Sequence, residues 1–276
     1  MSAPPFDLAS LRPGENRIPC PQCERGPKDT ALSVRLEPDG HAIWKCHRCG
    51  WTGSSGRDAQ QPTPAAPRKT ARPMRALSDH GRRLWVAARP LAGPALAYLE
   101  SRACRIPPAH GHLRWLPDLR HPSGYAGPAL LGLITDALTG RPISLHRTWI
   151  RADGRKADVE PPRLLLKGCA KAGGVIRLWP ECQGQTLGIA EGIETALSLA
   201  WAVAPVWACI DAGNLGALPV LRGVRELVIA ADNDTAGEQA ATACAARWAQ
   251  TGRTVRIVHA SEGHNDINDE ARAWAE

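Results

Sequence analysis

The chain has 276 residues, 43% of them apolar and 22% charged, with a formal net charge of +7. That length supports one large domain or two smaller ones with real cores, and the absence of an eighteen-residue apolar run excludes a membrane span. The positive balance favours a polyanionic partner, and the N-terminal stretch MSAPPFDLASLRPGENR lacks a secretory pattern, so a cytoplasmic protein with reduced thiols is expected.

Three blocks follow one another, the third in two parts. Residues 16–52 hold four of the nine cysteines as two close pairs, Cys20-Pro-Gln-Cys23 and Cys46-His-Arg-Cys49. Two CxxC pairs at this separation suit one structural zinc held by four thiolates. Between them ALSVRL, the turn EPDG and HAIWKC predict a hairpin leading into the second pair, the layout of a zinc ribbon. His41 and His47 are read as exposed, because four cysteines complete the shell. Trp44, with Trp51, Arg35, Lys45 and Arg48 nearby, is a candidate for stacking on single-stranded nucleic acid. The remaining cysteines, Cys104, Cys169, Cys182, Cys209 and Cys244, read as small buried hydrophobes.

Residues 53–75, rich in Gly, Ser, Pro, Gln and basic side chains, read as a flexible linker. Residues 76–180 open with two helical stretches, DHGRRLWVAARP and PALAYLESRA. The strand candidates ALLGLITDA, ISLHRTWI and RLLLK follow, separated by turns. Residues 186–276 alternate apolar strands (TLGIA, PVWACI, ELVIAA, TVRIVHA) with helices (IETALSLAWA, TAGEQAATACAARWAQ, DINDEARAWA). Such alternation predicts an α/β fold, a parallel sheet flanked by helices.

Acidic residues sit just after these strands: Glu191 after TLGIA, Asp232 and Asp234 after ELVIAA, and Asp266, Asn268 and Asp269 after TVRIVHA. The carboxyl ends of parallel strands share one edge, so the groups are expected to converge there and to suit a hard divalent cation. Glu194 and Asp211 are read as helix-start and turn residues.

These motifs carry a resemblance. AEGIETALSLA, LVIAADNDTAGEQAA and GHNDINDEA resemble the Toprim domain, the metal-dependent fold of bacterial-type primases, topoisomerases and some nucleases. The middle block, with YLESRAC, GPALLGLITDALTGRPISLHRTWIRADGRKA and PPRLLLKG, resembles the corresponding region of phage and plasmid primases. With the ribbon in front, the order resembles that of a phage or plasmid primase: an N-terminal β zinc ribbon, a mixed α+β primase-core region, then a Toprim-type sheet over 186–276.

The resemblance implies template-directed nucleotidyl transfer on single-stranded DNA from nucleoside triphosphates. It implies catalytic magnesium on Glu191, Asp232 and Asp234, supported by Asp266, Asn268 and Asp269. It also implies template or nucleotide contacts from Arg147 and Lys167 of the middle block. His146 is expected to be packed, and His264 is a candidate phosphate contact. Because no helicase follows Glu276, either a replicative helicase is expected as a separate partner or the chain is a truncated relative. Two other readings stay open: a DNA-clamping recombination mediator without catalysis, and a metal-dependent Toprim nuclease. A topoisomerase needs a nucleophilic tyrosine in a further domain, and Tyr98 and Tyr125 lack that setting.

Overall fold

The computed structural model describes residues 6–23, 26, 30–55, 76–167, 169–180 and 185–275. The chain divides into two compact units, Met1–Ala71 and Arg72–Glu276.

The first unit is a four-stranded antiparallel sheet in the order β1 (Gly14–Ile18), β2 (Leu32–Leu36), β3 (Ala42–Cys46), β4 (Thr52–Ser55). The central hairpin is the expected one. Leu32 pairs with Cys46 and Val34 with Trp44, and all four are buried, so one face of alternating residues makes the core. The outer strands GENRI and TGSS have no apolar alternation and join through backbone pairing. Strand β4 therefore takes in Gly53–Ser55, residues that composition assigned to the linker. A Cβ at Gly53 would lie 2.3 Å from the Trp44 ring, so only glycine lets β4 cross that ring. The rest of the expected linker, 56–75, lies outside the described residues.

The second unit is built on one nine-stranded sheet. Its main path runs β13 (Thr254–Val258), β12 (Glu226–Ala230), β10 (Thr186–Ala190), β11 (Val206–Ala208), β9 (Gly174–Arg177), β6 (Ala126–Asp136), β7 (Pro142–Trp149), β8 (Arg163–Leu165). Strand β5 (Leu113–Arg120) also pairs with β6. The four strands from β10 to β13 are mutually parallel where they pair, and β9 joins them antiparallel to the middle block. Two of these strands have no sequence signal of their own. Strand β5 carries Pro117 at a register shift between Leu116 and Leu119, and β9 is only four residues long.

Both faces of the parallel part are covered, for the reason the apolar runs imply. On β12, Leu227 and Ile229 point into the core under α4 (Ala212–Gly216) and α5 (Thr235–Ala249). Val228 and Ala230 point into the opposite core, with α3 (Ile193–Leu199). Every residue of α3 is buried, and α6 (Ile267–Ala275) packs against it. The helices α1 (Asp79–Ala87) and α2 (Pro94–Glu100) lie in the middle block. Among the described scattered cysteines, Cys104, Cys209 and Cys244 are buried as expected and Cys169 is partly so; Cys182 lies outside the described residues.

Candidate active site and metal centre

In the first unit the Sγ atoms of Cys20, Cys23, Cys46 and Cys49 all lie within 4.8 Å of one another, with Cys20–Cys49 at 3.8 Å and Cys23–Cys46 at 3.7 Å. Thiolates about 2.3 Å from one tetrahedral zinc stand about 3.8 Å apart, so the residues fit that ion. The amides of Arg48 and Cys49 donate to Cys46 Sγ at 3.4 and 3.5 Å, the knuckle that turns two cysteines toward one point. Trp44 is not the exposed base-stacking ring expected from its neighbours. It is buried against Phe6 (centroids 5.3 Å) and Trp51 (5.6 Å), because the alternation of β3 turns it inward beside the cysteines.

In the second unit β10 and β12 are adjacent and in register, Ala190 opposite Ala230. Glu191 is therefore one residue, and Asp232 two residues, beyond the same edge. Strand β11 ends opposite Ala190, and Asp211 follows it. Two aspartates cap helices: Asp234 Oδ1 accepts from Gly237 N (2.9 Å) at α5, and Asp211 Oδ1 from Asn214 N (2.9 Å) at α4. Asp266 Oδ1 accepts from Asp269 N at the start of α6. Ile210 donates its N–H to Glu191 O at 2.8 Å with φ of 78°, an unfavourable value for a β-branched residue, held beside the carboxylates.

Like charges crowd this edge. Burial pushes the Glu191 carboxyl up to about 7, helped by repulsion from Asp232, Asp234 and Asp211. Asp232 is also pushed up to about 7, by burial and then by Asp266, Asp234 and Asp269. Arg163 opposes both shifts. Asp232 Oδ1 is buried with no hydrogen-bond partner. A half-buried carboxylate with one buried, unpartnered oxygen among other carboxylates is a donor that a divalent cation satisfies. Among the described residues only the four cysteines form a closed ligand cage. The carboxylate oxygens of Glu191, Asp232 and Asp234 do not all come within 4.8 Å of one another, so a hard divalent cation there would keep several waters.

Beside Glu191 opens a cleft lined by His146, Arg163, Lys171, Glu191, Glu194 and Asp211, among others. Pairing of β7 with β8 sets Arg163 opposite Thr148 and Leu165 opposite His146, and His146, Arg163, Leu164 and Leu165 line the cleft. Arg147 has the opposite parity. Its Nη2 donates to Leu165 O at 2.8 Å and its guanidinium lies 5.2 Å from the Trp149 ring, away from the cleft where the resemblance put it. Lys167 is exposed past the end of β8 and does not line the cleft. Asn268 is buried away from the rim. Its Nδ2 donates to Arg102 O (2.5 Å) and Ser198 Oγ (3.0 Å), and its Oδ1 accepts from Arg102 Nε (3.1 Å). It ties α6 to α3 and the α2 exit rather than serving the acidic cluster. His264 is followed closely by that cluster, its carbonyl accepting from Asn233 Nδ2 at 2.8 Å.

Glu194 is more than the helix-start residue expected of it. Its Oε1 accepts from Arg163 Nη2 at 2.6 Å and from the Tyr98 hydroxyl. Burial raises its pKa, but Arg163, Lys156 and the Tyr98 bond outweigh that and hold the carboxyl down at about 2. Asp211, read as a turn residue, also pairs with Lys171 at 2.6 Å. His146 is kept neutral, its pKa pushed down to about 4 by burial and by Arg163. Arg163, Glu194 and Tyr98 carry no mutual signal in the chain, because three separate elements supply them.

Residues 186–275 match the family model of the Toprim domain, and residues 75–178 match one described as a domain of unknown function (DUF7146). No curated protein matches the chain. Among solved structures, the Aquifex aeolicus primase (zinc binding and RNA polymerase domains) is 15% identical with a TM-score of 0.46, over 98% of this chain and 82% of that one. The primase fragment of the bacteriophage T7 primase-helicase protein is 15% identical with a TM-score of 0.41, over 92% of each chain. The family match over 186–275, on the strands whose ends carry Glu191, Asp232 and Asp234, makes the C-terminal part of this chain a Toprim domain.

Proposed function

We propose that the protein is a DNA primase. It would join nucleotides on a single-stranded DNA template by metal-dependent nucleotidyl transfer. The observation that carries this reading is the carboxylate edge of the Toprim domain, where Asp232 Oδ1 is buried without a partner and both Glu191 and Asp232 are pushed up to about 7. Glu191, Asp232 and Asp234 would hold magnesium, which when bound neutralises charge on the phosphates and activates the attacking 3′ hydroxyl. Glu191, half-buried at the rim, would alternatively take the proton from that hydroxyl, with Asp232 and Asp234 holding the metal. Asp234 is fixed by its cap bond to α5, so its free oxygen has a defined place. The four-cysteine ribbon would carry one structural zinc.

The test incubates the full chain with single-stranded templates, magnesium and labelled nucleoside triphosphates. Dinucleotides and longer primers are expected, and Asp232→Ala or Glu191→Ala should lower synthesis by roughly a hundredfold or more. The same carboxylates support a second reading, metal-dependent strand cleavage by water. Cleavage of the template without any dinucleotide would replace the primase reading with that one. Binding alone, equal in both variants, would favour a DNA-clamping mediator.

A further inference from the structure

The acidic edge is assembled from separate pieces of chain. Asp232 and Asp234 follow β12, whereas Asp266 and Asp269 stand at the start of α6, beyond the loop that leaves β13. That loop is tied to its own helix. Ser261 Oγ donates to Glu270 Oε1 at 2.7 Å, and Asn265 Nδ2 donates to Asp269 Oδ2 at 3.1 Å. Neither bond reaches the turn after β12. The link to that turn is Asn233, the middle residue of Asp-Asn-Asp. Its backbone N–H donates to Asn265 O at 2.7 Å, and its Nδ2 donates to Ala260 O at 3.1 Å and to His264 O at 2.8 Å. Among the described hydrogen bonds, all those between residues 260–266 and residues 232–234 are made by Asn233.

Asn233 is exposed, so apolar packing does not explain its placement. Both hydrogens of its amide go to carbonyls of the facing loop, which makes the side chain a clamp between two segments rather than a cap of its own turn. What the clamp carries is charge. Of the charged groups around Asp232, Asp266 bears on it most strongly, ahead of its motif partner Asp234. Asp266 uses Oδ1 to accept from the Asp269 N–H at 2.9 Å, which fixes its carboxylate at the end of the loop. Two carboxylates brought together from distant segments repel each other, and a divalent cation between them relieves that repulsion.

We propose that Asn233 is a positioning residue that clamps the β13–α6 loop to the Asp-Asn-Asp turn, so that Asp266 stands beside Asp232 and strengthens the hold on a divalent cation. Asp266 acts on the ion through its charge and through the waters that the ion keeps. This deepens the reading of the edge as a metal centre and rests on it, whether the chemistry there joins strands or cuts them.

The experiment titrates manganese, a paramagnetic substitute for magnesium, into the zinc-loaded full chain and reads the free ion by electron paramagnetic resonance. Wild type is expected to bind, and Asp232→Ala to lose that binding. Asp266→Asn should weaken it by roughly fivefold, and Asn233→Ala by about as much. The double variant decides whether the two residues act as one. If Asn233 works through Asp266, the pair loses little more than either single variant, whereas independent effects would multiply to about twenty-five-fold. Asn233→Asp removes both donors and adds a negative charge. Charge alone would tighten manganese binding there, while a clamp predicts weaker binding. Thermal melting accompanies each titration. If Asn233→Ala does not fold, Asn233→Asp takes its place in the same double-variant comparison.

Multiplying losses, wild-type-like binding by either single variant, tighter binding by Asn233→Asp, or no binding by wild type would each overturn the proposal. Coupled losses without primer synthesis would leave it standing and remove the primase reading. Primer synthesis with multiplying losses would do the reverse.

Discussion

At the scale of single residues, the acidic edge is a set of charges held together against their own repulsion. The raised pKa values of Glu191 and Asp232 mean that the folded state favours their protonated forms. Without a divalent cation, the stability linked to them is fully present below about pH 4, where both groups are protonated folded or unfolded. It is lost as pH rises through about 7, where the folded-state carboxyls ionise. Asp232→Asn removes one of these charges. It should raise the melting temperature by several degrees at pH 8 in magnesium-free buffer and leave it unchanged near pH 4. A lower melting temperature at pH 8 would mean that Asp232 is stabilised rather than strained there. Asn268 makes the opposite case, a motif residue whose work is packing. Asn268→Ala strands the Arg102 carbonyl and the Ser198 hydroxyl in the interior and should cost about 1–3 kcal/mol in denaturant unfolding. Magnesium binding by the remaining folded protein should be unaffected.

At the scale of elements, the ribbon and the Toprim strands differ in what holds them. The ribbon's core is small: Leu32, Val34, Ala42 and Trp44 with two of the cysteines, packed by Phe6 and Trp51. A unit of this size depends on its metal for folding. Cys46→Ser should abolish zinc, measured as about one ion per chain in wild type by elemental analysis. It should also erase the near-ultraviolet signal of Trp44 and Trp51, while the melting of the 72–276 unit stays in place. The Toprim strands stand on two cores. Leu187, Ile189, Leu227 and Ile229 are fully buried on one face, each contributing about 1.5–3 kcal/mol, and Ala190, Val228 and Ala230 are buried on the other. That is why TLGIA and ELVIAA are readable as strands from composition alone. Strand β5, interrupted by Pro117, and strand β4, with no apolar residue, are held by neighbours the chain does not announce. The parity of β7 belongs to the same class. One residue separates His146, which lines the cleft, from Arg147, which does not, and the pairing of β7 with β6 and β8 decides between them.

At the scale of the whole molecule, the middle block and the Toprim domain share one sheet. Strand β9 pairs with β11 on one side and β6 on the other, and Ile134 and Ile176 lie in the same core as Ala190 and Val228. Separation would bare strand edges and half of that core. Residues 76–276 should therefore unfold in one calorimetric transition. Residues 186–276 expressed alone should fail to give a cooperative melt, and an independent melt of that segment would contradict the shared core. The net charge of +7 is consistent with a polyanionic partner at this scale, and no helix among the described residues is long and apolar enough to cross a membrane.

What the amino-acid sequence determined by itself is what local spacing can encode. The four cysteines are two pairs on tight turns, the parallel strands are continuous apolar runs, and Glu191, Asp232 and Asp234 each follow a strand by one to four residues. Those patterns survive any packing of the chain. What only the tertiary structure decided depends on pairing between distant segments. The pairing of β7 with β6 and β8 turned Arg147 away and brought Arg163 in, α2 supplied Tyr98 to a carboxylate on α3, the core of the ribbon claimed Trp44, and β9 merged two blocks into one sheet. A one-residue change of register inverts which side chains face a cleft, and nothing in the order of residues along a strand records its neighbour.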